Sequence, residues 1–428
     1  MRTITYRDAL REAMAEEMRR DERVYILGED IAAYGGTYAV TKGLIDEFGE
    51  KRVKDTPLAE EVIVGTAIGS ALVGLRPVAE LMTMNFSLLA SDLIINSAAK
   101  FRYMFGGQPT IPMVIRMPGG GGAQRGAQHS QFFEAMFAHV PGLKLVMPAT
   151  PYDAKGMLKS AVRSDDPILF IEHELLYSVK GEVPDEDEEY TVPLDRGIVR
   201  REGKDVTLVT FSRMVHICLQ AAEELAKEGI EAEVIDLRTI RPIDLDLVLD
   251  SVRKTNRVVV AEEGWKFYGT GQGIAALIYE YGFDWLDAPI GHVTGKDVTL
   301  VTFSRMVHIC LQAAEQLAKE GIEAEVIDLR TIRPIDLDLA LDSIRKTNRA
   351  IVAEEGWKFY GTGQGIAALI YEYGFDWLDA PIGHVTGKNV PMPYNKSLEK
   401  LALPSRDDVI AAVHAIVPQR AATTAGAR

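Results

Sequence analysis

Residues 203–294 and 295–386 are two copies of one 92-residue sequence and differ at only five positions. The differing pairs are Glu224/Gln316, Val248/Ala340, Val252/Ile344, Val258/Ala350 and Val259/Ile351. One removes a charge and four exchange aliphatic residues, so both copies keep the information needed to fold. Solenoid repeats run to about 20–50 residues and recur several times, whereas this unit is longer and occurs twice. Duplication of a whole domain fits better. An assembly artefact would give identical copies, which the five differences disfavour. Both cysteines (Cys218, Cys310) and all four tryptophans belong to the repeats, so neither count describes the rest of the chain. Removing one copy from the 428 residues leaves 336, the length that bears on fold class.

Apolar residues make up 47% of the chain and charged residues 25%, the balance of a globular protein. Sixty-two acidic against 47 basic side chains give a formal charge of −15, which disfavours nucleic acid and anionic membranes as partners. No apolar run is long enough to span a bilayer, and the N-terminus MRTITYRDALREAM has no apolar core with a cleavage site. A cytoplasmic protein is expected.

Residues 1–185 alternate short apolar runs (24–28, 77–82, 111–116, 143–147, 167–172) with helical patterns, notably the Ala/Gly-rich stretch 60–75. Near-continuous apolar strands separated by helices predict an α/β domain with a parallel sheet covered on both faces. The acidic segment 180–190 reads as a solvated surface loop, opening an interdomain linker over 186–202. Each repeat reads as a small α/β domain of three strands and three helices, the first over 203–294. The second, over 295–418, continues into a completing tail with an amphipathic helix at 406–416, followed by a frayed 419–428.

Three clusters invite chemistry. Gly269-Thr-Gly-Gln-Gly273 follows a strand but lacks the dinucleotide register, so tight packing explains it better. The loop 118–131 holds four consecutive glycines, Arg125, Gln128, His129 and Gln131 just beyond a strand, where open α/β sheets bind ligands. In Asp55-Thr-Pro-Leu-Ala-Glu60-Glu61, acids at a helix start are either simple dipole complements or a partly buried catalytic carboxylate. Chemistry alone leaves both open.

Leu27-Gly-Glu-Asp, Tyr34-Gly-Gly-Thr-Tyr, Asp55-Thr-Pro-Leu-Ala-Glu, Asn85-Phe-Ser, Ala127-Gln-His-Ser-Gln, Ser251-Val-Arg-Lys-Thr-Asn and Val390-Pro-Met-Pro-Tyr together resemble the β subunits of thiamine-diphosphate-dependent 2-oxo acid dehydrogenases, the E1 component. The resemblance spans about 1–418 apart from one repeat copy. It implies a pyrimidine-binding parallel-sheet domain followed by a transketolase C-terminal-like α/β domain, the latter tandemly duplicated. It further implies oxidative decarboxylation of pyruvate and acyl transfer to a dihydrolipoyl acyltransferase core, by an α₂β₂ heterotetramer. Branched-chain 2-oxo acid and acetoin dehydrogenases are alternatives. A non-catalytic scaffold subunit, with the duplicated domain as a second docking surface, is the rival of another class.

By the same resemblance Glu60 matches the glutamate that hydrogen-bonds the cofactor's pyrimidine nitrogen, with Glu29 in support. Phe86 matches the aromatic against that ring, Met82 and Leu58 its apolar wall, and His129 the histidine of acyl transfer. Met113, Ala161, Val162, Ser164 and Asp166 match a potassium site of some members. Mg²⁺ on the diphosphate needs hard oxygen ligands from a G-D-G-type motif. This chain has none, so the resemblance assigns Mg²⁺ to the α subunit.

Overall fold

The computed structural model describes residues 1–122, 125, 127–185, 188–264, 269–293, 298–320, 322–357, 361–388, 390 and 395–417. The chain divides into two compact units, Met1–Thr294 and Gly295–Arg428. The first copy of the repeat therefore belongs with the N-terminal domain, and the second forms a unit with the tail.

The first unit is built on a seven-stranded sheet. Its order is Thr239–Arg241, Lys144–Val146, Ile168–His173, Val114–Gly119, Arg76–Glu80, Val24–Gly28 and Val53–Asp55. All neighbours are parallel except the first pair. Val24–Gly28, Val114–Gly119 and Ile168–His173 are buried at every position, as two covered faces require. Helices Tyr6–Arg20 and Pro151–Arg163 fill one face, started by Thr5 and Thr150, whose hydroxyls accept the Asp8 and Asp153 amides. Helix Glu60–Leu72 covers the other. Its small side chains let it lie close to the strands.

That second face continues into the first repeat. Its sheet runs Gly291–Val293, Val258–Ala261, Val206–Thr210, Ala232–Asp236 and Ile198–Arg201. Phe211, Leu237, Ile240 and Val248 share a core with the N-terminal domain. Thr239–Arg241 leaves the repeat altogether and pairs antiparallel with Lys144–Val146. His216 Nε2 lies 2.8 Å from the Ala149 carbonyl, and the Arg241 guanidinium donates to that of Ala138.

The acidic segment corrects the expected linker and solvated loop. Lys180–Val183 is a strand paired antiparallel with Arg2–Thr5. Tyr190 stacks on Tyr152, and Val192 is buried on helix Pro151–Arg163, its amide donating to the Gly156 carbonyl. Glu189 pairs with Lys159 and Arg163, and Asp185 with the N-terminal amine. Ile198–Arg201 is an antiparallel edge strand. Two-residue alternation over four residues suffices for such strands, which is too short a pattern to separate from a loop. Within residues 186–202, residues 186 and 187 lie outside those described.

The second unit has a four-stranded parallel sheet, Ala324–Asp328, Val298–Thr302, Ala350–Trp357 and Gly383–Gly387. Helix Arg406–Ile416, started by a Ser405–Asp408 capping box, buries Val409 and Val413 against helix Met306–Lys319. The frayed tail expected at 419–428 and all but Val390 of the Val-Pro-Met-Pro-Tyr segment lie outside the described residues. No described helix is long and apolar enough to cross a membrane.

Candidate active site

Four neighbouring parallel strands end on the same edge of the N-terminal sheet, and the expected cofactor residues follow them. Leu58 and Glu60 come after Val53–Asp55, Glu29 after Val24–Gly28, Met82 and Phe86 after Arg76–Glu80, and His129 after Val114–Gly119. The carboxyl edge of such a sheet is its ligand-binding edge.

Glu29 is buried directly after its strand, on a turn held by Asp55 Oδ1, which accepts the Ala32 amide at 2.8 Å. Glu60 is buried as the first residue of helix Glu60–Leu72, where the unpaired amides favour a carboxylate. Burial first, then repulsion from Glu60 and Asp30, pushes the Glu29 carboxyl up to about 7, the Ala59 amide opposing. Neither Glu29 oxygen has a hydrogen-bond partner of good geometry. Two buried, coupled acids, one with both oxygens orphaned, describe a site that expects a proton or a donor from a ligand.

Phe86 and His129 are joined edge to face, ring centroids 5.2 Å apart at 74°. Phe86 lies in the short 3₁₀ turn Met84–Leu88, anchored where Asn85 Nδ2 donates to Gln131 Oε1 at 2.6 Å. Met82 is half-buried; Leu58 is 79% exposed and offers an apolar rim. Thiamine diphosphate fits this set: a carboxylate at a helix start, orphaned oxygens behind it, and an aromatic beside an imidazole.

In the glycine-rich loop, residues 123, 124 and 126 lie outside those described. Gly120 holds φ +105°, and a Cβ there would fall 2.2 Å from His173 Nε2, so only glycine fits. Arg125 Nε lies 3.3 Å from Glu174 Oε2, its guanidinium over the Tyr38 ring.

The potassium set lies elsewhere, where the chain leaves helix Pro151–Arg163 and enters strand Ile168–His173 at its amino end. The carbonyls of Val162 and Ser164 each accept Arg76 Nη1 at 2.9 Å; that of Ala161 takes the Ser164 amide and that of Met113 the Ile168 amide. Asp166 pairs with Arg102 and Lys144. Each carbonyl keeps one lone pair, the neutral oxygen donor a large monovalent cation takes.

Several groups escaped sequence reasoning. Arg116 is fully buried between Glu80 and Glu172, and Tyr177 Oη donates to Glu172 at 2.7 Å. A charged residue directly after an apolar run in each of three strands, Val-Ala-Glu80, Val-Ile-Arg116 and Phe-Ile-Glu172, was the available signal. His173 Nε2 lies 2.9 Å from Glu263 Oε2, linking the sheet edge to the first repeat. Glu134 is buried, with one oxygen unpartnered; burial, then Glu262 and Glu263, pushes it up to about 8.

Raised carboxyls make a pH prediction. A group whose folded pKa exceeds its unfolded value holds its proton in the fold, so its stabilisation is complete below the unfolded pKa. It is lost as pH rises through the folded one. The melting temperature of the chain should therefore fall between about pH 5 and pH 8.5. Glu29→Gln and Glu134→Gln should each flatten that slope, which calorimetry across the range would read. An unchanged slope in both variants would contradict the assignment.

Both kinds of domain have counterparts among known proteins. The transketolase pyrimidine-binding domain matches residues 2–180, and the transketolase C-terminal domain matches twice, at 195–298 and 292–409. The mitochondrial pyruvate dehydrogenase E1 component subunit beta of Dictyostelium discoideum is 49% identical over 316 residues, 73% of this chain and 89% of that protein. The chain belongs to the pyruvate dehydrogenase E1 β-subunit family. The Rickettsia felis subunit beta is 50% identical over 69% of this chain and 90% of its own length. The Arabidopsis thaliana subunit beta-1 is 46% identical over 75% and 89%. A solved structure titled as a split-gene transketolase, inactive beta4 tetramer, superposes with a TM-score of 0.57 at 27% identity, over 68% of this chain and 89% of that one. For this E1 β-type chain, the double match of the C-terminal domain is the duplication read in the sequence.

Proposed function

We propose that this chain is the β half of a thiamine-diphosphate-dependent pyruvate dehydrogenase (acetyl-transferring) E1, active only with an α subunit as α₂β₂. The coupled Glu29–Glu60 pair, with both Glu29 oxygens unpartnered, at the sheet edge from which the Phe86–His129 pair also emerges, carries the reading. When bound, the cofactor supplies an electron sink for decarboxylation of a 2-oxo acid. Glu60 would hold the pyrimidine nitrogen by a hydrogen bond and could exchange a proton there. Glu29, its carboxyl pushed up to about 7 by burial and then by the neighbouring acids, holds a proton and keeps that corner short of negative charge. Phe86, with Met82 and Leu58, gives the ring an apolar face. His129, packed against Phe86, carries a proton toward the acyl acceptor, a lipoyl group on an acyltransferase core. Mg²⁺ belongs to the α subunit, which supports both the assembly and the inactivity of β alone.

Mixing the chain with a family α subunit, thiamine diphosphate, Mg²⁺ and pyruvate should give decarboxylation that neither subunit shows alone. Comparable turnover of branched-chain 2-oxo acids or acetoin would redirect the substrate assignment. Potassium belongs to the carbonyls of Met113, Ala161, Val162 and Ser164 with Asp166. A melting temperature higher in KCl than in choline chloride at equal ionic strength tests it, equal values leaving Arg76 as the cation there.

A further inference from the structure

Two copies of one sequence bury different faces here. In the second repeat, helix Arg406–Ile416 closes a groove formed by Val298, Leu317, Ile351 and Val385, all buried. Its His414 Nε2 lies 2.8 Å from Glu320 Oε2, and its last carbonyl, of Ile416, accepts Arg349 Nε at 3.1 Å. The matching groove of the first repeat consists of Val206, Leu225, Val259 and Val293, with Ile230, the counterpart of Ile322, at its rim and Glu228 and Arg257 as its polar ends. No described helix of the first unit covers it. Val293 is 52% exposed where Val385 is 5%, Ile230 is 37% exposed, and Val206, Leu225 and Val259 are half-buried.

Of the five differences between the copies, only Val259/Ile351 lies in this groove, and it changes one methylene. The first repeat therefore keeps the shape, the apolar floor, the acid and the arginine that hold the helix in the second. Among the described residues one chain carries two grooves and one such helix. Exchange of that helix within or between chains empties one groove for each it fills, so filling both at once takes a helix from another polypeptide.

We propose that the first repeat is a docking site for a partner's amphipathic helix. Its chemistry follows residues 406–416: branched aliphatic residues at i, i+4 and i+7 (Val409, Val413, Ile416), a histidine or other cation near the end facing Glu228, and a terminal carbonyl for Arg257. This is the helix-in-groove mode, in which apolar anchors on one stripe supply affinity and polar ends set orientation.

The test uses a fluorescently labelled peptide of residues 395–417 and the full-length chain. The expected result is saturable anisotropy with one peptide per chain. Affinity should weaken at least tenfold with Ile230→Asp or Val293→Asp in the chain, both exposed positions that tolerate charge, and with Val413→Asp in the peptide. No binding by the folded wild-type chain would overturn the proposal. So would binding that survives both groove variants, which would place the peptide on the second repeat. Concentration-dependent self-association of the full chain, abolished by Val413→Asp in its own tail, would assign the groove to a second copy and likewise overturn it.

Discussion

Glu60→Gln is expected to lower pyruvate decarboxylation by the reconstituted α/β enzyme by about 10²–10⁴-fold, the span of a lost proton-transfer group. Glutamine keeps the size of the side chain and can still hydrogen-bond at the start of helix Glu60–Leu72, so the fold is retained. What it loses is the exchangeable proton. The same substitution removes the repulsion that helps to raise Glu29, and the Glu29 carboxyl should move back toward its ordinary range. The stability of the variant should accordingly vary less with pH between about 5 and 8.5 than that of the wild type. Steady-state rates with pyruvate and melting curves across pH read the two effects separately. Activity within a few-fold of wild type would remove Glu60 from the chemistry, whatever the melting curves show.

Glu60 could be suspected from sequence because an acid pair precedes an apolar, small-residue helix. Whether it was solvated or catalytic turned on Glu29, 31 residues away, and that proximity exists only because strands Val24–Gly28 and Val53–Asp55 are neighbours. His129 was legible as a histidine on a glycine-rich loop and Phe86 through the family resemblance, but their contact was not, since local pattern says nothing about which loops share a sheet edge. The parallel sheet itself was plain from its uniformly apolar runs. Short antiparallel additions were not: Lys180–Val183, Ile198–Arg201 and Thr239–Arg241 draw their stability from the strands they join, not from their own composition. The repeat shows the same limit most directly. Thr239–Arg241 is a strand in the first copy, while the identical residues 331–333 of the second are not, because only the first has Lys144–Val146 to pair with.

Arg116→Met should cost about 3–5 kcal/mol of stability, the usual consequence of removing one member of a buried ionic cluster. Arg116 donates to Glu172 through Nε and Nη2 at 2.7 and 2.8 Å and to Glu80 through Nη1 at 2.5 Å, all inside the sheet. Methionine fills much of the volume but leaves two buried carboxylates facing each other with no counter-charge. Burial already holds Glu80 above its ordinary value against the pull of Arg116, so losing the arginine drives it further up. A loss of that size lowers the melting temperature by roughly 10 °C in a unit this large. Because the stranded acids can escape by protonation, the deficit should be smaller at pH 5 than at pH 8. Adding Glu80→Gln and Glu172→Gln to Arg116→Met should recover a large part of it, since neutral amides in place of charges remove the uncompensated desolvation. A full deficit persisting in the triple variant would mean that Arg116 stabilises the sheet by packing alone, through the guanidinium plane wedged beside Met14.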